Sequence, residues 1–514
     1  MVALSHQRSR QLVLLAFGFT ALCAQLSFWV QAQGLIGSTG ILPLAQRMAA
    51  IEALPQPPDA LEFPTLLRLL PSDLGLHLLC ALGVCAALLV LLDVAPALGA
   101  LLLALVTLSQ VLVSDAFLSF QWDSLMVEVS LAMALYAPWR LWRDRRGDPE
   151  PPAAARWLLW WILLRLMLES GLVKLSWSDA TWADLSAMSY HHQTQPLPHG
   201  VSAAVHALPA RAHELEALAM FGVELALPLL IVCGRWGRRL ALPGLLGLQL
   251  VIAATGNYGF FNLLTAVLCL ALLDDRVLRL REPPRRRASW WQRGTALALL
   301  LVSLAAGTPG LLRSAAGPGD DPRTLRVGRG DEHGWAATLQ RRARTLLSGP
   351  LTPLEPLRQR LQRVMLVNDY GLFRSMTTTR PEILLELSDD GERWTPWPFR
   401  HKPGDPARRP AWCQPHMPRL DWRLWFEALR WEWFVSRGYA YESSPWFGAT
   451  LRALVQERQG ALALMGTQPL GAGPPSFLRA TLVEARYATP DERRVDGGWW
   501  HHEPLDDVGL VLSP

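Results

Sequence analysis

Lysine is nearly absent from this chain of 514 residues: of 49 lysines and arginines only two, Lys174 and Lys402, are lysine. Asparagine is as scarce. The three present, Asn257, Asn262 and Asn368, open no Asn-x-Ser/Thr sequon, so nothing points to N-glycosylation. Charge is thin at 18%, against about 25% in an average soluble domain. Of six cysteines only Cys413 lies in the polar C-terminal part, which excludes a disulfide within that part. Catalytic signatures are missing too. There is no Gly-x-Ser-x-Gly elbow, no P-loop and no His-Glu-x-x-His helix, so nothing indicates a hydrolase. The net charge of +5 is no sign of nucleic acid, because much of it sits in short loops between apolar runs.

What the chain does have is apolar length, from about residue 10 to residue 312. A helix needs about 20 apolar residues to cross a bilayer. Nine candidate spans meet the eye, near 11–31, 74–93, 95–114, 119–138, 157–176, 216–233, 240–256, 258–274 and 295–312. The first is read as an uncleaved span, since no Ala-x-Ala site follows it. Basic clusters precede the first span and recur at 140–146, 235–239 and 276–287. With nine spans all four fall on one side, so the N-terminus is expected in the cytoplasm and everything after residue 312 outside. The expected architecture is therefore a membrane all-α bundle of about nine transmembrane helices over residues 1–312. A charged loop at 144–155 interrupts it, and a Gly- and Asp-rich linker at 314–321 ends it.

Residues 313–514 read as a soluble, extracytoplasmic, mixed and β-rich domain. Pro381-Glu-Ile-Leu-Leu-Glu-Leu387 alternates in part, Ser388-Asp-Asp-Gly391 offers a turn, and 394–399 reads as a second strand. Residues 420–435 and 445–455 carry apolar residues at helical spacing, and 477–487 returns to strand character. A β-sandwich with inserted helices is expected.

Charge at membrane depth is costly and usually paired. Two candidate spans carry it: Gln121-Trp-Asp-Ser-Leu-Met-Val-Glu128, and the run holding Arg165, Glu169 and Lys174. Arg165 and Glu169 are four apart and share a helix face. Asp123 is expected at the depth of Lys174, and Glu128 toward Arg165. The resulting picture is one intramembrane network of Asp123, Glu128, Arg165, Glu169 and Lys174. Two readings stand: charges that lock two helices, or a functional group in which lysine was kept because it can lose its proton when desolvated.

Outside the spans, His191, His192, His199 and His206 invite a metal reading, but their spacing fits no established ligand pattern. An ordered outer loop containing His191, His192 and Gln195 is expected instead. The link Thr255-Gly-Asn-Tyr-Gly-Phe-Phe-Asn262 reads as a tight outer turn. No metal and no cofactor is assigned. In the C-terminal part, polar groups cluster at Asn368, Arg374, Arg380 and Glu382, at Arg400, Lys402 and Asp405, and at His416, Arg419 and Asp421.

Taken together, Gln121 to Glu128, Arg165 to Leu175, Tyr190-His-His-Gln-Thr-Gln-Pro-Leu-Pro198, Thr255 to Asn262, Tyr370-Gly-Leu-Phe-Arg374 through Glu382, Phe399-Arg-His-Lys-Pro-Gly-Asp405 and Pro418-Arg-Leu-Asp-Trp422 resemble the signature segments of the lipase maturation factors. The resemblance covers most of the chain. It implies a multi-pass membrane protein. The best-known animal member helps secreted lipases reach their active, assembled form in the endoplasmic reticulum, and its lipase-facing part is the C-terminal domain. The partners implied here are the lipid bilayer and secreted client proteins, lipases among them, with no nucleic acid. The Ala/Leu/Arg bias points to a bacterial chain and so to an inner membrane facing the periplasm, with the endoplasmic reticulum as the eukaryotic counterpart. Gly171-Leu-Val-Lys-Leu175 followed by Trp182 is also similar, over this short stretch, to the segment holding the base lysine of vitamin K-dependent carboxylases. That similarity supplies the alternative: a membrane-embedded enzyme, carboxylase-like or quinone-linked, with Lys174 as base and Glu128 and Glu169 as tuning partners.

Overall fold

The computed structural model describes residues 5–143, 147–177, 179–278, 286–317, 335–470 and 475–513. The loop expected at 144–155, the basic cluster at 276–287 and the linker at 314–321 fall partly outside them.

The chain opens with α1 (Gln7–Ile36), which carries apolar residues on every side. Its first turn is capped from far along the chain. The Asp275 carboxylate accepts from the backbone N–H groups of Gln7, Arg8 and Ser9 at 3.1, 3.0 and 2.8 Å. That satisfies donors a helix start leaves open and sets negative charge at the positive end of the dipole. Next come α2 (Asp73–Leu91), capped by the Ser72 hydroxyl, and α3 (Pro96–Ser114). α1 approaches α2 closely because residue 18 is glycine: a Cβ there would meet the backbone N and Cα of Leu91 at 2.6 and 2.7 Å.

The bundle continues with α4 (Gln121–Tyr136), α5 (Ala153–Ser176), the short helix α6 (Ala187–Thr194) and α7 (Ala210–Phe221). α7 runs directly into a π-helical turn, Gly222–Ala226. Then follow α8 (Gly234–Thr255), α9 (Phe261–Leu270) and α10 (Trp290–Ala316).

The nine expected spans are not supported. Among the described residues five helices, α1, α2, α3, α8 and α10, are long and apolar enough to cross a membrane. The other four apolar runs fold differently. α4 has 16 residues and α9 has 10, α5 carries Arg165, Glu169 and Lys174, and 216–233 is broken by the π-helical turn and Pro228. α4 and α5 are buried on almost every side. Their apolar character serves packing against protein, which hydropathy alone cannot separate from packing against lipid.

The basic loops gather at one end of the bundle. Arg140 pairs with Asp93 at 2.8 Å and with Asp148 at 2.5 Å, and Arg10 donates to the carbonyl of Pro149 at 2.8 Å. Arg239 reaches Asp274 at 3.3 Å, and the N–H of Glu150 donates to the carbonyl of Arg286 at 2.7 Å.

Two helices, α11 (Trp335–Ser348) and α12 (Glu355–Arg363), lead into the C-terminal part. Among the described residues this part is not the expected sandwich. It holds one antiparallel sheet in the order β2-β1-β3-β4, from β1 (Pro381–Ser388), β2 (Thr395–Pro396), β3 (Phe477–Tyr487) and β4 (Trp500–Leu512). β1 and β3 pair in the register Ile383 to Leu482 and Leu387 to Leu478. The expected hairpin is present, with Gly391 at φ 76° in its turn. Its second strand is cut to two residues because Pro396 and Pro398 cannot donate to a ladder.

No second sheet is needed, because two helices cover the apolar face. α13 (Arg419–Val435) presents Leu420, Leu424, Ala428 and Trp431, and α14 (Pro445–Val455) presents Phe447 and Leu451. Both share one buried core with Ile383, Leu385 and Leu387 of β1 and Leu478 and Leu482 of β3. The same core takes in Phe28, Leu79, Val106 and Phe117 of the bundle. Sheet, helices and one end of the bundle thus share one apolar interior.

Candidate functional site: a polar junction beside an apolar cavity

α4 and α5 bring Glu128 and Arg165 into a direct ion pair with 3% and 0% of their surfaces exposed. The partners that complete it come from beyond the bundle. Arg165 donates to the carbonyl of Asn368 at 2.8 Å. Glu128 accepts from the Tyr370 hydroxyl at 2.6 Å and from the Asn368 amide at 3.1 Å. Glu169, also fully buried, accepts from the backbone N–H of Tyr370 at 2.5 Å, and Gln121 accepts from that of Gly371 at 3.0 Å. A four-residue segment of the C-terminal part, 368–371, is therefore plugged between α4 and α5. Its backbone groups give Arg165 an acceptor and Glu169 a donor inside the bundle, which offsets part of the cost of burying them.

The expected single network is divided. Asp123 does not meet Lys174; it holds Arg419 in a two-pronged pair at 2.7 and 2.7 Å. That guanidinium sits at the start of α13, whose N–H at Arg419 also donates to Gln31 of α1 at 2.8 Å. Arg165 pairs with Glu128 rather than with Glu169 on its own face. Lys174 turns away from both, donates to Glu224 at 2.8 and 3.0 Å, and lies 5.5 Å from the Trp182 ring. Glu224 was not among the residues singled out from sequence. It belongs to the π-helical turn after α7, a feature that re-aims one side chain within a helix. Gly171 lets that turn approach: a Cβ there would meet Leu225 at 2.6 Å and Glu224 at 3.1 Å. The signal was available, since Glu224 interrupts the apolar run 216–233.

The second lysine has a similar setting. Lys402 pairs with Glu382 at 2.5 Å and donates to the carbonyl of Ile383 at 2.8 Å. Arg380 holds the other oxygen of Glu382 at 2.7 Å and donates to the carbonyls of Gln193, Gln195 and Pro196 at 2.6, 2.5 and 3.1 Å. β1 is thereby latched to the C-terminal end of α6 and the residues just after it. Asp421 accepts from the N–H groups of His401 and Lys402, both at 3.0 Å. His416 contacts Ser27 of α1 at 3.1 Å. Burial, aided by His401, Arg419 and Arg400, pushes its imidazole down to about 4, so it is neutral at neutral pH. Arg374, Arg400 and Asp405 are exposed, and Arg400 bears on this group through its charge beside His401 and His416.

His191 and His192, expected in a loop, lie on α6, and Gln195 caps its C-terminal end. Gln195 donates to the carbonyl of Thr255 at 2.8 Å, and Asn257 donates to those of Leu197 and Ala411 at 3.1 and 2.8 Å. His191 contacts the Tyr258 hydroxyl at 3.3 Å. His192 lies 3.0 Å from Glu216, which His213 approaches at 3.4 Å. These three side chains bring ligand atoms within 4.8 Å of one another, a donor set able to hold a metal ion, and one that linear spacing conceals.

Beside the junction lies a cavity of about 400 Å³, lined by α5, α6, α7, α8 and α9. Lys174, Glu224 and Asn262 reach it, and apolar side chains make up most of its wall.

Residues 8–280 match the family model of the lipase maturation factor transmembrane domain, and residues 366–509 that of the lipase maturation factor C-terminal domain. Lipase maturation factor 2 of Gallus gallus is 32% identical over 99% of this chain and 82% of its own length. Its counterpart in Homo sapiens is 32% identical over 98% and 82%. Lipase maturation factor 1 of Bos taurus is 29% identical over 98% and 89%. No solved structure matches the chain. The enzyme alternative gains no support, since Lys174 is ion-paired with Glu224 and the supposed tuning carboxylates Glu128 and Glu169 engage Arg165 and Tyr370 instead. Matched over half its length by one family model and along nearly all of it by full-length relatives, this chain belongs to the lipase maturation factor family.

Proposed function

We propose that this protein assists the folding and assembly of secreted clients, lipases among them, and that residues 313–514 form the part that meets them. Residues 1–312 serve as the membrane anchor, with the N-terminus in the cytoplasm and the C-terminal part outside: in the periplasm of a bacterium, or in the lumen of the endoplasmic reticulum. The observation that carries this reading is the similarity to lipase maturation factors along nearly the whole chain. The gathering of basic loops at one end of the bundle supports the orientation.

The client surface is placed at the C-terminal end of α13. Trp433 and Tyr439 are 47% and 60% exposed with ring centroids 6.3 Å apart. Arg437 lies 4.4 Å from the Trp433 ring. Exposed aromatics beside arginine are the side chains that anchor protein interfaces. The test uses a strain whose secreted lipase depends on this protein. Trp433→Ala with Tyr439→Ala is expected to lower lipase activity per mass secreted by roughly tenfold, as loss of about 1.4 kcal/mol of client binding would. Deletion of the protein with no change in the specific activity of any secreted lipase would sink the client assignment.

A further inference from the structure

The cavity of about 400 Å³ has the size of a small-molecule site, for which about 300–1,000 Å³ is usual. Its wall is mostly apolar, with Met167, Leu248, Ile252 and Phe261 among the lining residues. One polar residue in that wall stands out. Asn262 is 4% exposed, and neither its Oδ1 nor its Nδ2 has a hydrogen-bond partner. A buried amide with both ends unpaired is costly, and native structures rarely keep one without a reason. The charges that reach the cavity are already partnered: the Lys174 ammonium is held by Glu224, and Glu216 faces His192 and His213.

We propose that this cavity binds a single neutral amphiphile. Its tail lies against the apolar wall. Its head group accepts from Nδ2 of Asn262 and donates to Oδ1, as a hydroxyl or a carboxamide does. A carboxylate or phosphate only accepts, so it leaves Oδ1 unpaired, and it finds the Lys174 ammonium already taken by Glu224. An ammonium only donates and leaves Nδ2 unpaired.

The structure supplies a variant that closes the cavity without disturbing its frame. Gly247 lines the cavity, and a Cβ built there meets nothing within 4 Å. Gly247→Phe fills the space, and replacing a glycine within α8 does not weaken the helix. Asn262→Leu removes the polar anchor and keeps the shape. The full chain in nanodiscs is titrated with 1-monodecanoylglycerol, with decanoate as the anionic probe and n-decane as the headless one, and adducts are counted by native mass spectrometry. Saturable uptake of one monodecanoylglycerol per chain is expected. Gly247→Phe takes up none, Asn262→Leu binds at least about tenfold more weakly, and decanoate and decane compete poorly. Equal uptake by the wild type and by Gly247→Phe, with both folded by circular dichroism, overturns the site. Decanoate or decane binding as tightly as the monoglyceride, or Asn262→Leu binding like the wild type, overturns the head-group assignment.

Discussion

Arg165 shows what a single residue carries here. It lies in α5 with no exposed surface, pairs with Glu128 of α4 and donates to the carbonyl of Asn368. Removing one partner of a buried pair leaves the other charged and unsatisfied, at a cost of about 3–5 kcal/mol. Arg165→Leu is therefore expected to lower the thermal unfolding midpoint of the detergent-solubilised protein sharply. Arg165→Leu combined with Glu128→Leu is expected to recover a good part of the loss, and a double variant no better than the single one would mean the pair is not the source. Much at this scale was legible. Asp123, Glu128, Arg165, Glu169 and Lys174 announce themselves as charges in apolar runs, and each is buried. Their pairing was not legible, because Arg419, Tyr370 and Glu224 come from distant segments that no helical periodicity connects.

Among the elements, α1 and α2 depend on a glycine. The contact of Gly18 with the Leu91 backbone leaves no room for a side chain. Gly18→Leu is expected to destabilise the protein by about 1–3 kcal/mol through overpacking, read as a lower melting temperature. Gly294→Ala in α10, where a Cβ meets nothing, should leave the melt unchanged or raise it slightly. A Gly18→Leu protein that melts like the wild type would mean α1 and α2 do not pack this closely. β1, β3, α13 and α14 were readable, because alternation in β1 and helical spacing in α13 each have one apolar face, whereas β4, α11 and α12 were not read from the sequence. The sandwich was a wrong completion: once α13 and α14 cover one face of the sheet, no second sheet is required. The span count erred for a related reason, since α4 and α5 are as apolar as lipid-facing helices yet bury themselves in protein.

For the molecule as a whole, the membrane bundle and the C-terminal part do not keep separate interiors. Tyr370, Met417 and Trp422 pack in the same cluster as Leu163 and Leu268 of the bundle. Residues 335–514 expressed alone are expected to show no cooperative melt by near-ultraviolet circular dichroism, and co-expression with residues 1–317 is expected to restore one. A cooperative melt of the isolated segment would mean the shared core is dispensable.

The plug at 368–371 also orders events in time. Glu169 finds the N–H of Tyr370 201 residues downstream, and Asp123 finds Arg419 296 residues downstream. A chain made from its N-terminus places both carboxylates at the membrane long before their partners leave the ribosome. The bundle therefore cannot finish closing around α4 and α5 until the far end of the protein has been synthesised. A protein whose family tends the maturation of others has a maturation step of its own, and it falls last.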